Sequence, residues 1–462
     1  MTLVLGVDSS TQSTKAVLVD AVDGTVVDAR SASHPPGTEV DPRAWLAAYD
    51  QAAGPLVDRA EAVSVAAQQH GMVALDADGV PVRDALLWND PRSASAAADL
   101  VAEHGGGQAC AEAVGSVVVA SFTAAKVRWL RDHEPEAAAR VAQVLLPHDY
   151  VSAHAAAPGT PAFTDRGDAS CTGYYDAANA TWRPDLLADA LGHEAAVPEV
   201  VAGGAVAAST ERGAVLAAGT GDNMGGALGV ALAPGDVLVS IGTSGVVSVV
   251  SPDAVADGSG TITGFADAES GYLPMCSTIN AAGVLDLQAR WLGVDHGELS
   301  HLALQAPPGS GGLTLLPYYG GERTPYRPDA VGSWHGLTPA TTRADLARAA
   351  FEALLCSLAH ALDRLSVTTG TTPARLLLVG GATRSPALRA LAPAILDHPV
   401  ALPAPGEYVA LGAARQAAWA LRGTPSPPVW PGQGLDDLPA PTDAEREAAA
   451  GVRAAYARLR DG

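Results

Sequence analysis

Two apolar runs near the start of the chain enclose a polar loop, and this pattern constrains the fold more than any other feature. Residues 3–7 (LVLGV) and 16–19 (AVLV) each predict a buried strand. The loop between them runs from Asp8 to Lys15 and contains three serines and two threonines. Because an Asp-Gly pair at residues 23–24 predicts a further tight turn, we expect an α/β domain that begins with antiparallel strands.

The same strand–loop–strand pattern recurs near the middle of the chain, where residues 237–250 read VLVS, IGTSG and VVSVV. Exposed backbone N–H groups and hydroxyls in such a loop can bind an anion. Hairpins recur by chance, and each loop alone is more often an ordinary polar turn. The presence of both loops, with Asp8 at the start of the first, favours phosphate binding and two domains of similar topology.

The length of the chain also indicates two domains, since 462 residues with 48% hydrophobic composition exceed what one core usually contains. We place the N-terminal domain at residues 1–235 and the C-terminal domain at residues 236–422. Residues 423–462 are predicted to form a linker, rich in proline and glycine up to residue 441, and a final helix from 442 to 460. Periodicity predicts further elements: helices at 42–53, 343–365 (capped by Thr341 or Thr342) and 408–421, and strands at 62–67, 71–74 and 375–379.

Composition excludes several classes of partner. A net charge of −22 argues against nucleic acid, whose phosphates need a basic surface. No apolar stretch is long enough for a membrane span, and the N-terminus lacks the pattern of a signal peptide. The four cysteines lie far apart without metal-ligand spacing, so neither disulfides nor a zinc site are expected. We therefore expect a cytoplasmic protein without a nucleic-acid or membrane partner.

The common nucleotide-binding motifs are absent. No Gly-Lys pair occurs, which excludes a P-loop, and Met224 stands where the third glycine of a GxGxxG motif would be. Asp222 is the residue we expect to be catalytic, because the glycines around it leave its carboxylate open to a substrate hydroxyl. An alternative role for Asp222 is to cap a helix that starts near Asn223. Asp8 could hold Mg²⁺ directly or through water.

Three other short motifs follow strand-like segments. Gly380-Gly381 permits close approach of a flat ligand, or else forms an ordinary turn at the start of a helix. Gln69-His70-Gly71 offers hydrogen-bond donors to sugar hydroxyls, although a lone histidine is more often structural. Trp88-Asn89-Asp90 offers an aromatic ring that can pack on the C–H surface of a sugar.

Together these motifs resemble those of the FGGY carbohydrate kinases, in order and over nearly the whole chain, from Val4 to about Leu421. The matching stretches are Gly6–Lys15, Gln69–Gly71, Trp88–Asp90 with Arg92, Phe122–Lys126, Leu146–Tyr150, Gly221–Asn223, Gly242–Gly245, Gly321–Pro325, Gly380–Ser385 and Leu411–Ala414. Two residues depart from the family pattern: Gln69 stands in place of the usual methionine, and His148 in place of a common lysine.

The resemblance implies an α/β fold of two ribonuclease-H-like domains, as in the actin and hexokinase ATPases, around a central cleft. It implies that the N-terminal domain mainly binds the sugar and the C-terminal domain mainly binds ATP. The expected reaction is ATP- and Mg²⁺-dependent phosphorylation of D-xylulose to D-xylulose 5-phosphate. In it Asp222 acts as general base on the 5-hydroxyl and Asp8 organises the metal. The family also suggests a homodimer.

The resemblance further implies two sets of binding residues. For the sugar they are Gln69, His70, Trp88, Asn89, Asp90, Asp222 and Asn223. For ATP they are Ser10, Thr11, Thr14, Lys15, Gly242, Thr243, Ser244, Gly380, Gly381 and Arg384. The alternatives are a kinase of ribulose, gluconate, glycerol or a sugar alcohol, an actin-like ATPase switch that needs no sugar, and an inactive sugar sensor.

Overall fold

The computed structural model describes residues 1–430 and 434–462. The chain forms two compact α/β units. The first comprises Met1–Leu232, Pro252–Leu273 and Pro405–Gln433, and the second comprises Ala233–Ser251, Pro274–Ala404 and Gly434–Gly462. The units are thus discontinuous in sequence, unlike the continuous domains that the sequence predicts.

The main sheet of the first unit is built around an antiparallel hairpin, as predicted. Its strands lie in the order Val206–Ser209, Val215–Ala217, Ala62–Ala67, Leu3–Ser9, Ser13–Asp20 and Val26–Ser33, and Thr220–Gly221 also pairs with Ala62–Ala67. The hairpin ladder continues to the pair Ser9 and Thr14, so Asp8 lies within a strand opposite Lys15. The predicted loop of residues 8–15 is therefore too long, because the backbone ladder continues through its polar residues and leaves a turn of residues 10–12.

The main sheet of the second unit repeats this design. Its strands lie in the order Met275–Thr278, Gly245–Val249, Asp236–Ile241, Arg375–Val379, Val400–Pro403 and Leu435–Asp437. In both units the first strand of the hairpin also pairs in parallel with a buried strand, Ala62–Ala67 in one and Arg375–Val379 in the other. The similar topology of the two domains is thereby confirmed.

The predicted linker needs a correction. Leu435–Asp437 pairs antiparallel with Val400–Pro403, so this part of the segment extends the sheet. Strand pairing needs only backbone hydrogen bonds, which a proline- and glycine-rich composition does not reveal. Residues 431–433 of the predicted linker lie outside the described residues.

Helices surround both sheets. The α-helices are Arg43–Ala52, Gly54–Val57, Ala94–Glu103, Gly107–Val114, Thr123–His133, Pro135–Ala138, Pro147–Ala155, Arg166–Ala169, Pro184–Leu191, Asp222–Gly229, Ala282–Leu292, His296–Gln305, Arg343–Thr369, Pro386–Leu396, Tyr408–Arg422 and Asp443–Asp461, with 3₁₀ turns at Pro91–Ser93, Ser310–Gly312 and Gly381–Arg384. Short strands complete the list: Glu39–Val40, Val73–Leu75, Ala85–Leu86, Gln143–Leu145, Phe163–Asp165, Tyr175–Asp176, Thr181–Trp182, Glu199–Val201, Ile262–Thr263, Thr314–Leu316 and Ser333–His335. Of the two threonines proposed as a cap, Thr342 caps Arg343–Thr369 by accepting from the Asp345 N–H.

The helix Tyr408–Arg422 belongs to the first unit although it comes late in the chain. Its apolar face covers Val4 and Val17 of the hairpin, which form one buried cluster with Ala414 and neighbouring alanines. Gly6 of the strand allows this close approach, because a Cβ there would lie 1.9 Å from the carbonyl oxygen of Ala410 in the helix. Residues 405–430 therefore complete the core of the first unit rather than that of the second.

The expectations about the cysteines and about membrane-spanning helices can be compared with the structure. All four cysteines are buried and free of disulfides. Within residues 1–430 and 434–462, no helix combines the length and the apolar content needed to cross a bilayer.

Candidate active site

Asp222 lies at the first position of the helix Asp222–Gly229, directly after the strand Thr220–Gly221. The N-cap position of this helix is Gly221, so Asp222 is not the capping residue. It accepts a hydrogen bond from Asn223 Nδ2 at 3.0 Å. Burial raises the pKa of Asp222 to about 6, against the lowering effect of the hydrogen bonds from Asn223. At neutral pH the carboxylate is therefore charged, yet basic enough to accept a proton from a substrate hydroxyl.

Asp8 is the second acidic group of the first unit's site. It is 5% exposed, and its Oδ1 atom has no hydrogen-bond partner in the described part of the chain. Burial and the charge of Asp222 raise its pKa to about 8, while Lys15 lowers it. A buried carboxyl with an unpaired oxygen fits a divalent cation, because the cation would replace the proton and favour the charged form.

The first hairpin turn presents only part of its predicted ATP-binding set. Ser10 closes the turn through its backbone N–H and its hydroxyl, both of which donate to Ser13 O. The hydroxyl of Thr14 is fully buried and lies 2.8 Å from His34 Nε2. Lys15 forms an ion pair of 2.6 Å with Glu407. The side chains of Thr14 and Lys15 are thus both bonded to other residues of the first unit. Successive residues of a strand point to opposite faces of the sheet, so the two side chains have different partners.

Trp88 and Asp90, predicted to bind sugar, have different surroundings. Trp88 is 42% exposed, and its indole N–H donates to Thr11 Oγ1 at 3.0 Å, which joins it to the hairpin turn. Asp90 is buried and accepts hydrogen bonds from Thr38 Oγ1 and from the backbone and side chain of Arg92. Asp90 therefore stabilises its own turn, and its predicted contact with the sugar stays a prediction.

His70 has a backbone φ of 67°, in the left-handed region that non-glycine residues rarely adopt. Its Nδ1 lies 2.7 Å from the carbonyl oxygen of Cys171, and its ring packs against Phe122 and Phe265 at centroid distances of 4.8 and 5.6 Å. Strained residues often cluster at functional sites, and this histidine is held by contacts from three separate segments. Gln69, next to it, is 3% exposed and bonds to Asn223 rather than facing outward.

The segment of residues 218–223, here the Asp222 segment, is held by buried polar side chains that the sequence analysis did not select. Three of them bond successive residues: His148 at 2.9 Å to Ala218 O, Gln416 at 2.9 Å to Gly219 O, and Asp165 at 2.8 Å to Thr220 Oγ1. The signal in the sequence that could have identified His148 is its departure from the family pattern, in which a lysine is common at this position. Gln416 and Asp165 carry no motif that would have identified them.

A cavity of about 400 Å³ opens beside the hairpin turn of the second unit, a size that suits a small-molecule ligand. Of the predicted ATP-binding residues, Gly242, Thr243, Gly381 and Arg384 line it. Ser244 and Gly380 do not line it, although Gly380 immediately precedes the lining residues. Ala382 and Ser385, which also line it, lie in the stretch Gly380–Ser385 that resembles the family. The sequence analysis missed its other walls, which are Ile241, Ala282, Leu285, Asp286, His296, Gly297, Phe351 and Pro386.

Two similar α/β units with polar hairpin turns, and a basic carboxylate in one of them, define an ATP-dependent phosphotransferase of the actin and hexokinase type. The chain belongs to the FGGY family of carbohydrate kinases: the model of the family's N-terminal domain matches residues 3–229 and that of its C-terminal domain matches residues 237–421. It is therefore an ATP-dependent carbohydrate kinase.

Relatives of known name agree with this family. The chain is 44% identical over 436 residues to a xylulose kinase of Streptomyces coelicolor, covering 91% of this chain and 88% of that protein. It is 32% identical over 443 residues to a xylulose kinase of Escherichia coli, with 89% of each chain covered. The crystal structure of xylulose kinase from Bifidobacterium adolescentis matches with a TM-score of 0.88 at 42% identity, covering 98% of this chain and 99% of that chain.

Proposed function

We propose that this kinase transfers the γ-phosphoryl group of ATP to the 5-hydroxyl of D-xylulose, giving D-xylulose 5-phosphate and ADP. The observation that carries the proposal is the basic, partly exposed carboxylate of Asp222, in a chain that resembles xylulose kinases along most of its length. Other ketoses and polyols are the alternative acceptors.

In the proposed mechanism, Asp222 accepts the proton of the hydroxyl as that oxygen attacks the phosphoryl group. Asp8 is the residue that would hold Mg²⁺, an ion that neutralises charge on the phosphate oxygens when it is bound. The backbone N–H groups of Thr11 and Gln12 in the hairpin turn support binding of the transferring group. The cavity beside Gly242 and Gly381 is the proposed site of the nucleotide.

His70 and Trp88 are the proposed sugar contacts, with Asn89 beside them. The His70 ring is held at a set position by Cys171, and the exposed face of Trp88 suits the C–H surface of a sugar. Mg²⁺ as the metal, the cytoplasm as the location and a homodimer as the assembly belong to the same proposal, and they rest on the family resemblance.

A coupled ADP-release assay tests the substrate. D-xylulose, D-ribulose, gluconate, glycerol and a sugar alcohol are compared at equal ATP and Mg²⁺ concentrations. We expect the highest kcat/KM with D-xylulose. A higher value with another compound would refute the assignment to xylulose, and ATP hydrolysis that sugar does not accelerate would favour a nucleotide switch.

A further inference from the structure

Both the oxygen and the nitrogen of the Gln69 carboxamide form hydrogen bonds within the first unit. Its Oε1 accepts a hydrogen bond from Asn223 Nδ2 at 2.5 Å. Its Nε2 donates to Cys171 Sγ and, at 3.2 Å, to Met224 Sδ. The side chain is only 3% exposed, and its polar atoms all form hydrogen bonds to protein atoms. The carboxamide therefore acts within the protein interior.

Asn223 connects Gln69 with the proposed catalytic base. One hydrogen of its Nδ2 group points to Gln69 Oε1, and the other points to Asp222 Oδ1 at 3.0 Å. Two acceptors on one planar amide fix the orientation of that amide. Because Asn223 is partly exposed, its side chain could otherwise turn toward water, and the hydrogen bond to Asp222 would then be lost.

Among residues 1–430 and 434–462, no cationic side chain is among the groups that shift the pKa of Asp222, so none compensates for such a loss. Asp8 lies close enough for the charge of Asp222 to raise the pKa of Asp8, and it is itself acidic. Cys171 and Asp168 are also nearby titratable groups, and neither is basic. Within the described chain, the side chain that donates a hydrogen bond to Asp222 is the neutral amide of Asn223. A bond to a charged acceptor is worth more than one between neutral groups.

The anchor of Gln69 is itself well fixed. Cys171 is fully buried, its Sγ donates to Gly167 O at 3.4 Å, and its carbonyl oxygen lies 2.7 Å from His70 Nδ1. Gln69 and His70 are therefore both held by the same residue of a distant segment. Gln69 is anchored to Cys171 through Nε2 and bonded to Asn223 through Oε1. It can therefore set the position of the Asn223 carboxamide and, through it, of Asp222.

We propose that Gln69 is a positioning residue: it holds the carboxamide of Asn223 so that Nδ2 keeps its hydrogen bond to Asp222 and aims the base at the substrate hydroxyl. This inference rests on the proposed function of Asp222. It assigns Gln69 a role through Asn223 and not through contact with the sugar.

The test is a double-mutant cycle in the full-length kinase. Gln69→Met keeps the unbranched length of the side chain but removes both polar ends, and Asn223→Ala removes the link to Asp222. The matched control is Gln68→Met, since Gln68 is also fully buried and its carboxamide has no hydrogen-bond partner among residues 1–430 and 434–462. Steady-state kcat and KM for D-xylulose and ATP are measured for wild type, the single variants and the double variant.

We expect Gln69→Met to lower kcat about 10- to 100-fold, with KM for D-xylulose changed less than about threefold. In the Asn223→Ala background the same substitution should change kcat less than about twofold, because the contact it removes no longer exists. Gln68→Met should retain the kcat of wild type. If Gln69→Met does not fold, Gln69→Asn, which withdraws the amide by one methylene, takes its place in the cycle.

Three results would overturn the inference: a raised KM for D-xylulose as the main effect, a loss of kcat that persists in the Asn223→Ala background, or an unchanged kcat in Gln69→Met. The first of these would restore Gln69 as a sugar contact. Failure of the proposed function is separate, because wild-type enzyme would then lack activity with D-xylulose. If another compound of the panel is the substrate, the cycle is measured with that compound.

Discussion

Asp222 is subject to two opposing effects at the scale of the single residue. Removal from water raises its pKa, and hydrogen bonds from Asn223 lower it, with a net value of about 6. A general base works best when its pKa lies near the operating pH, because it is then both ionised and able to hold a proton. The surroundings of Asp222 thus tune a carboxylate that would otherwise be a poor base.

Replacing Asp222 by asparagine should lower kcat about 10²- to 10⁴-fold, the usual contribution of a positioned base. Binding of a non-hydrolysable ATP analogue, measured by calorimetry, should remain within about threefold of wild type. The exposed Asp78 provides the control, since Asp78→Asn changes the same chemical group away from the site. Retained turnover in Asp222→Asn would refute its role as base.

The pH profile of kcat/KM for the sugar should fall on the acidic side of about pH 6. The sign follows from the raised pKa: Asp222 is an anion above that pH and gains a proton below it, when it can no longer accept one from the hydroxyl. The expected slope is about tenfold per pH unit on that limb. A profile that stays flat down to pH 4.5 would contradict the assignment.

His148 lies fully buried, with its Nδ1 3.2 Å from Asp149 Oδ1 and 3.3 Å from Asp168 Oδ2. Burial alone would lower the pKa of His148, but its contacts with the two carboxylates raise it well above 6.5. The stabilisation from this pairing is therefore complete below the unfolded-state pKa and is lost only as the pH rises through the folded-state value.

His148→Ala should lower the free energy of unfolding by about 3–5 kcal/mol, because it leaves buried carboxylates without a cation. Urea denaturation at pH 7 measures this value. His301→Ala, at an exposed helix position, should change it by less than about 0.5 kcal/mol. An equally stable His148→Ala protein would show that the cluster carries little net charge.

At the scale of elements, the hairpins and the long helices were predictable, because local periodicity and turn residues determine them. The strands Ala62–Ala67 and Arg375–Val379 begin and end where the sequence predicts. The neighbours of the catalytic segment were not predictable, since Gln69 meets Cys171, Asn223 and Met224 across more than 100 residues of chain. Contacts at such separation leave no periodic pattern in one sequence.

Gly380 ends the strand Arg375–Val379 with a φ of 103°, and a Cβ there would lie 2.4 Å from the carbonyl oxygen of Ile241. Gly380→Ala should therefore lower the free energy of unfolding by about 2 kcal/mol or more and weaken nucleotide binding at the adjacent cavity. Gly381→Ala is the matched control for stability, because its Cβ would meet only Arg384 Nη2 at 3.7 Å. Urea denaturation and calorimetry with an ATP analogue measure both effects, and equal stability of the two variants would contradict the steric argument.

At the scale of the whole molecule, the chain passes from one compact unit to the other several times. The boundary that the sequence predicts near residue 235 lies close to the first of these crossings. The later crossings could not be predicted, because the apolar face of Tyr408–Arg422 has the same periodicity whichever sheet it covers. The assignment of domains 1–235 and 236–422 to sugar and ATP stays a prediction.

A polypeptide of residues 1–235 should fail to fold cooperatively. It lacks the helix that covers Val4, Val17, Val19 and Ala62, and its hairpin would expose that apolar face to water. Fusion of residues 405–430 to this polypeptide through a flexible linker should restore protection of the strand Leu3–Ser9 from hydrogen exchange. A native near-UV circular dichroism spectrum for residues 1–235 alone would contradict this expectation.

The position of Tyr408–Arg422 in the first unit has a consequence for synthesis on the ribosome. The strand Leu3–Ser9 leaves the exit tunnel early, yet the helix that covers it follows about 400 residues later. At about 5–20 residues per second this delay is roughly 20–80 s. The first strands to be made are thus among the last to be covered. During that interval the nascent chain presents an apolar surface, which we expect a molecular chaperone to occupy.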